Sequence, residues 1–123
     1  MLGKKKEEGI TEVKSILAEG LKIEGNIISE GKIRIDGTVE GDVRGDFLIF
    51  GQTAVIKGNV KAKSVVVMGT VEGNIESEIV EIKSSSKIKG DILVKELSIE
   101  PGASIDSKIV SGDYTSSSGE TTE

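Results

Sequence analysis

The groups with the makings of chemistry in this sequence are carboxylates, lysines and glycine-bounded turns, because the chain has no His and no Cys. Without His the commonest general base and the imidazole ligands of zinc are missing. Without Cys neither a disulfide framework nor a thiolate metal site can form, and a reducing compartment is permitted. Acid–base work would fall to carboxylate pairs such as Glu24 and Glu40, which occupy equivalent positions of a repeat. On an exposed ladder such pairs are ordinarily solvated surface charges. Phosphate binding would fall to Gly37-Thr38-Val39-Glu40-Gly41 and Gly69-Thr70-Val71-Glu72-Gly73, yet no phosphate-loop or dinucleotide signature accompanies them. The nonapeptide that holds Ca²⁺ in other solenoids is also missing. The reading is therefore not an enzyme, with no catalytic residues, no cofactor and no metal.

The elements that carry these groups explain them better. Gly25-Asn26-Ile27, Gly41-Asp42-Val43, Gly58-Asn59-Val60, Gly73-Asn74-Ile75 and Gly90-Asp91-Ile92 recur at intervals of 16, 17, 15 and 17 residues. Two residues before each Gly lies an aliphatic residue: Ile23, Val39, Val55 or Ile56, Val71 and Ile88, extended by Ile105. Val55 makes the steps most even and is preferred. A second column runs Ile27, Val43, Val60, Ile75, Ile92 and Ile109. A third side pairs Ile33, Leu48, Val65, Val80 and Leu97 with Ile35, Phe50, Val67, Ile82 and Ile99; a separation of two is strand alternation. The Gly-Thr-Val-Glu-Gly segments are corners of this repeat.

These columns predict an all-β, single-domain parallel β-helix of triangular cross-section, with about six coils of 15–17 residues. The parallel crossovers favour the right hand. A coil this small cannot bury its aliphatic face alone, so stacking supplies the core. Composition agrees: 16 Gly against two Phe, one Tyr and no Trp calls for many turns and a β-branched core. Glu100-Pro101-Gly102 reads as a type II turn. The Asn or Asp after each corner Gly can hydrogen-bond its own neighbouring backbone or the same amide in the next coil. Net charge −5 argues against nucleic acid as a partner. No apolar run approaches the ~20 residues of a membrane span and no secretory signal is evident, so a cytoplasmic location is expected.

The repeated Ile/Val-x-Gly-Asn/Asp-Ile/Val coils, the opening Ile16-Leu17-Ala18-Glu19-Gly20-Leu21-Lys22-Ile23-Glu24-Gly25 and the polar flanks resemble the bactofilins, bacterial cytoskeletal filament proteins. The resemblance covers roughly residues 14 to 110. It implies a right-handed β-helix that polymerises end to end, without nucleotide, into non-polar filaments. It further implies a short N-terminal tail that brings filaments to the inner face of the cell membrane, where they scaffold envelope or cell-shape proteins. One departure stands out: the family's terminal coil often carries an aromatic residue important for assembly, whereas this chain offers Ile105 and Ile109.

Assembly also follows without the family. An uncapped β-helix ends in aliphatic side chains and unpaired strand edges, the template that soluble proteins normally cover. The expected contacts are Leu17, Leu21 and Ile23 at the first end and Leu97, Ile99, Ile105 and Ile109 at the last. Residues 1–13 are read as a disordered tail, 14–110 as the polymerising β-helix and 111–123 as a disordered polar tail. In the first tail Met1 and Leu2, followed by Lys4, Lys5 and Lys6, suit shallow insertion beside anionic lipid; the plainer reading is a solvated terminus. Outward positions Phe47, Ile49, Val66, Met68 and Ile79 cluster on one face as a lateral or partner contact. Two competing arrangements stay open: residues 1–16 folding back as a lid on a monomer, and a non-polymerising solenoid that binds protein or glycan.

Overall fold

A corner glycine sets the pitch of this chain because the neighbouring coil leaves no room for anything larger. A Cβ on Gly41 would strike the carbonyl oxygen of Gly25, and one on Gly58 that of Gly41; Gly73 and Gly90 continue the series. Each of these glycines therefore lies against the one before it, at positive φ. The next residue locks the stack. Its side-chain oxygen accepts the backbone N–H of its equivalent one coil on: Asn26 from Asp42 (2.8 Å), Asp42 from Asn59 (2.9 Å), Asn59 from Asn74 (3.0 Å) and Asn74 from Asp91 (2.9 Å). Of the two bonding patterns open to these side chains, the inter-coil one is adopted.

The computed structural model describes residues 13–112, and among them there are only strands and turns. In chain order they are β1 (Val13–Leu17), β2 (Lys22–Glu24), β3 (Ile27–Ile28), β4 (Lys32–Ile35), β5 (Thr38–Glu40), β6 (Val43–Phe50) and β7 (Val55–Lys57), followed by β8 (Val60–Val67), β9 (Thr70–Glu72), β10 (Ile75–Ile82), β11 (Lys87–Lys89), β12 (Ile92–Ile99), β13 (Ser104–Asp106) and β14 (Ile109–Ser111). Every pairing is parallel. The result is a parallel β-solenoid of six rungs and three faces. Face 1 stacks β3, β14 and the first halves of β6, β8, β10 and β12; face 2 stacks β1, β4 and the second halves of the same long strands; face 3 stacks β2, β5, β7, β9, β11 and β13.

The expected columns are the observed ladders with one correction. Register pairs Val39 with Ile56 and Ile56 with Val71, and Ile56 is fully buried where Val55 is not. Even spacing was the wrong guide. Where the chain passes from face 2 to face 3 it uses two residues at Asp36-Gly37 and Met68-Gly69 but four at Gly51–Ala54, Lys83–Ser86 and Glu100–Ala103. Two-residue corners go with steps of 16 and 15 and four-residue corners with steps of 17, so the spacing is uneven while the corner glycines hold the register. In the last corner Ala103 N–H donates to the Glu100 carbonyl (3.3 Å) with Gly102 at φ 101°, as a type II turn requires.

The interior is aliphatic and dry in character. Ile35, Phe50, Val67 and Ile82 stack at 0% exposure, and Val43, Val60, Ile75 and Ile92 at 1% or less. A second inward position of the long strands holds small residues, Gly45, Ala62, Ser77 and Val94 in register, where the strand bends from face 1 to face 2. Buried Ser77 answers its hydroxyl by donating to the Ile79 carbonyl (3.1 Å).

Candidate assembly surfaces

The end rungs break the pattern of burial. In the column where four members are wholly buried, Ile99 is 44% exposed, and Ile109 is 41% exposed above an Ile92 at 0%. Leu97 and Ile105 are half-buried beside them. At the opposite end Leu17 and Ile23 are half-buried and Leu21 is 52% exposed. The structure thus brings Leu17, Leu21 and Ile23 together on one end, and Leu97, Ile99, Ile105 and Ile109 on the other. Among the described residues the strands there are edges: β1, β2 and β3 pair on one side only, as do β13, β14 and the second half of β12. Gly25 shows the opening directly, for a Cβ there would meet nothing within 4 Å, unlike its counterparts above. Residues 13–16, placed in a possible lid, instead form the first rung of face 2 together with Leu17. Met1, Leu2, Lys4, Lys5 and Lys6 lie outside the described residues.

The three faces differ in chemistry. Face 3 points Lys22, Thr38, Val55, Thr70 and Lys87 outward beside Glu24, Glu40, Lys57, Glu72 and Lys89. Glu24 and Glu40 are stacked neighbours, and Lys22 Nζ reaches both, at 3.3 and 3.4 Å. Its hydrogen bonds to Glu24 and then Glu40 raise the Lys22 pKa. This is a surface cluster of two carboxylates bridged by one lysine, and the side chains stand in solvent. Among the described residues no group of His, Cys, Asp or Glu is arranged to hold a metal ion, and no helix is long and apolar enough to cross a membrane.

Face 2 carries the apolar cluster expected from alternation. Phe47, Ile49, Val66 and Met68 are half-buried and Ile79 is 38% exposed, all pointing out of the barrel. Charged pairs flank them, Arg34 with Asp36 on one side and Glu81 with Lys83 on the other. Three exposed hydrophobes escaped the sequence reading: Ile16 (66%), Ile28 (78%) and Val110 (42%). Strand alternation away from Leu17, Ile27 and Ile109 would have found them, since each neighbours an inward residue and must face out.

Among the described residues the chain is a six-rung parallel β-solenoid with partly exposed aliphatic residues on both end rungs. Residues 15–110 match the family described as Bactofilin, polymer-forming cytoskeletal, and the chain belongs to that family. The solid-state NMR structure of the cytoskeletal bactofilin BacA is similar at 38% identity and TM-score 0.74, covering 80% of this chain and 95% of that one. A cryo-EM reconstruction of Thermus thermophilus bactofilin double helical filaments is similar at 29% identity and TM-score 0.74, covering 80% and 99%. A crystal structure of a Thermus thermophilus bactofilin with a phenylalanine-to-arginine substitution gives 28% identity and TM-score 0.68, covering 70% and 98%. Among curated proteins none matches the chain. This is a cytoskeletal, polymer-forming protein and not an enzyme.

Proposed function

We propose that the chain polymerises end to end, without nucleotide, into non-polar filaments that lie on the inner face of the cell membrane and scaffold envelope or cell-shape proteins. The observation that carries the end contact is the exposure of Ile99 and Ile109 in columns otherwise closed to solvent. Stacking a second solenoid there continues the core and supplies the edge strands with partners. The polymerising unit is the solenoid, whose strands run from Val13 to Ser111.

The Asn/Asp ladder favours contacts between like ends. Its last rung holds Lys108, whose N–H takes the Asp91 oxygen at 3.4 Å but whose ammonium has no acceptor to pass on. A head-to-tail junction would set Lys108 beneath the Asn26 N–H, where every internal rung presents an oxygen. Two-fold junctions avoid that mismatch. Purified protein sedimented without nucleotide and viewed in negative stain tests the reading: filaments must pellet above a threshold concentration, and a species that stays monomeric at all concentrations contradicts it.

Membrane attachment rests on Met1-Leu2-Gly3-Lys4-Lys5-Lys6. Each basic residue near anionic lipid contributes about 1 kcal/mol, so one copy binds weakly and a filament presenting many binds firmly. Deleting Met1 to Lys6 must abolish co-sedimentation with phosphatidylserine liposomes while filaments persist. Undiminished co-sedimentation contradicts the attachment.

A further inference from the structure

We propose that Asp106 and Lys108 are the residues that select the partner at the last end: two last coils meet across a two-fold axis through the Ser107 corner, and each copy's Asp106 pairs with the other's Lys108. The proposal rests on the end-to-end reading and names the contact. It starts from a symmetry inside every coil. The inward residues of faces 3 and 1 stand two positions before and two after the corner residue, as Val39 and Val43 do about Gly41, Ile56 and Val60 about Gly58, and Ile88 and Ile92 about Gly90. In the last coil Ile105 and Ile109 stand in the same way about Ser107, and on the opposite face Leu97 and Ile99 flank Ser98. A line from Ser107 to Ser98 therefore divides the coil into halves of matching pattern.

Turning a second copy about that line lays face 3 on face 1 and face 2 on itself, with the edge strands antiparallel. Ile105 then meets the second copy's Ile109, and Leu97 its Ile99; each contact occurs twice, as an isologous interface requires. These are the aliphatic residues left partly open on this end. Charge selects the same axis. Among the described residues neither Asp106 nor Lys108 has an ion-pair partner. Side chains in the Lys108 column turn toward the following coil, whose amide they meet, so Lys108 is directed at whatever stacks on the last coil. About Ser107 it meets the second copy's Asp106. An axis centred on Ile105 sets Lys108 against Gly102, and one centred on Val110 sets it against Gly112; neither supplies a carboxylate. Glu96 does approach the second copy's Glu100, but that carboxylate is turned to rung 5, where it accepts the Ser84 N–H at 2.9 Å and pairs with Lys83 at 3.5 Å. A head-to-tail junction sets Asp106 under Glu24, a like charge in the same column. The first end has no equivalent lock, since Glu24 and Asn26 flank its corner.

The chain has no Cys, so introduced cysteines report the axis on the full chain. Ser98 lies on the axis, where opposed Cβ atoms stand about 4.5–5.5 Å apart, close enough to bridge. Oxidised Ser98→Cys filaments are expected to give covalent dimers and nothing larger. Ser104→Cys is expected to give none by itself, because its mate is Val110, and dimers once Val110→Cys is added. Asp106→Lys is expected to raise the pelleting threshold roughly tenfold, and adding Lys108→Asp to restore it; that rescue separates a lost contact from a folding defect. A head-to-tail junction predicts the reverse for Asp106→Lys, which would relieve Glu24. Ser98→Cys filaments that stay uncrosslinked, Ser104→Cys dimers without the second cysteine, a lowered threshold in Asp106→Lys, or a swap that stays weak overturns the axis and leaves end-to-end assembly standing. A wild-type chain that forms no filaments overturns both.

Discussion

Ile109 and Ile92 occupy one column a single rung apart, and substitutions at the two should separate assembly from folding. Full burial of an isoleucine side chain stabilises by roughly 1.5–3 kcal/mol. Ile109, 41% exposed in the free subunit, has about 1 kcal/mol of that still to gain from an end contact. A two-fold junction uses the residue twice, so Ile109→Ala should weaken it by about 1–2 kcal/mol, or roughly 5- to 30-fold in dissociation constant. Ile109→Glu sets two like charges against a drying interface and should abolish pelleting altogether. Ile92 is already closed to solvent, so Ile92→Val should cost about 0.5–1.5 kcal/mol of subunit stability and leave the pelleting threshold in place. Critical concentration by sedimentation, with thermal melting of the unassembled subunit by circular dichroism, measures both. Ile109→Glu protein that is folded and pellets at the wild-type threshold would refute the reasoning.

Two further outcomes bear on the stack itself. Gly58→Ala forces a methyl onto the Gly41 carbonyl and should lower stability by more than about 2 kcal/mol. Gly25→Ala, in open space, should cost only the ~1 kcal/mol of its backbone angle; equal melting temperatures would contradict the close approach of coils. Phe50 is the largest fully buried side chain, so Phe50→Ala should lose about 3–5 kcal/mol. Urea titration reads that loss, and a shift under 1 kcal/mol would show the core closing over the gap.

The rungs were legible in the sequence because two features mark each one independently. The Gly-Asn/Asp step pins the register, and strand alternation places Ile33 with Ile35 and Leu48 with Phe50 on the same side. Val55 was misjudged in favour of an even period that the mixture of two- and four-residue corners does not keep; the rule that worked at Val39 and Val71, two residues before a Gly, places Ile56 correctly. The ends were legible as well, since Leu17 and Ile109 are the first and last members of their columns among the described residues. The order of charge on face 2 was not. Arg34 and Glu81 are 47 positions apart in sequence, and only the ladder shows that they share a column with opposite sign. Ile28 and Val110 were missed for a related reason: they lie on the outward side of residues already assigned to the core.

Fibre diffraction from aligned filaments tests the central claim most directly. Six rungs stacked along the filament axis predict a meridional reflection near 4.8 Å and an axial subunit repeat of about 29 Å, doubled where like ends meet. Filaments whose ~4.8 Å reflection lies on the equator, or whose subunit repeat departs from that length, would mean that the solenoids do not join through their ends.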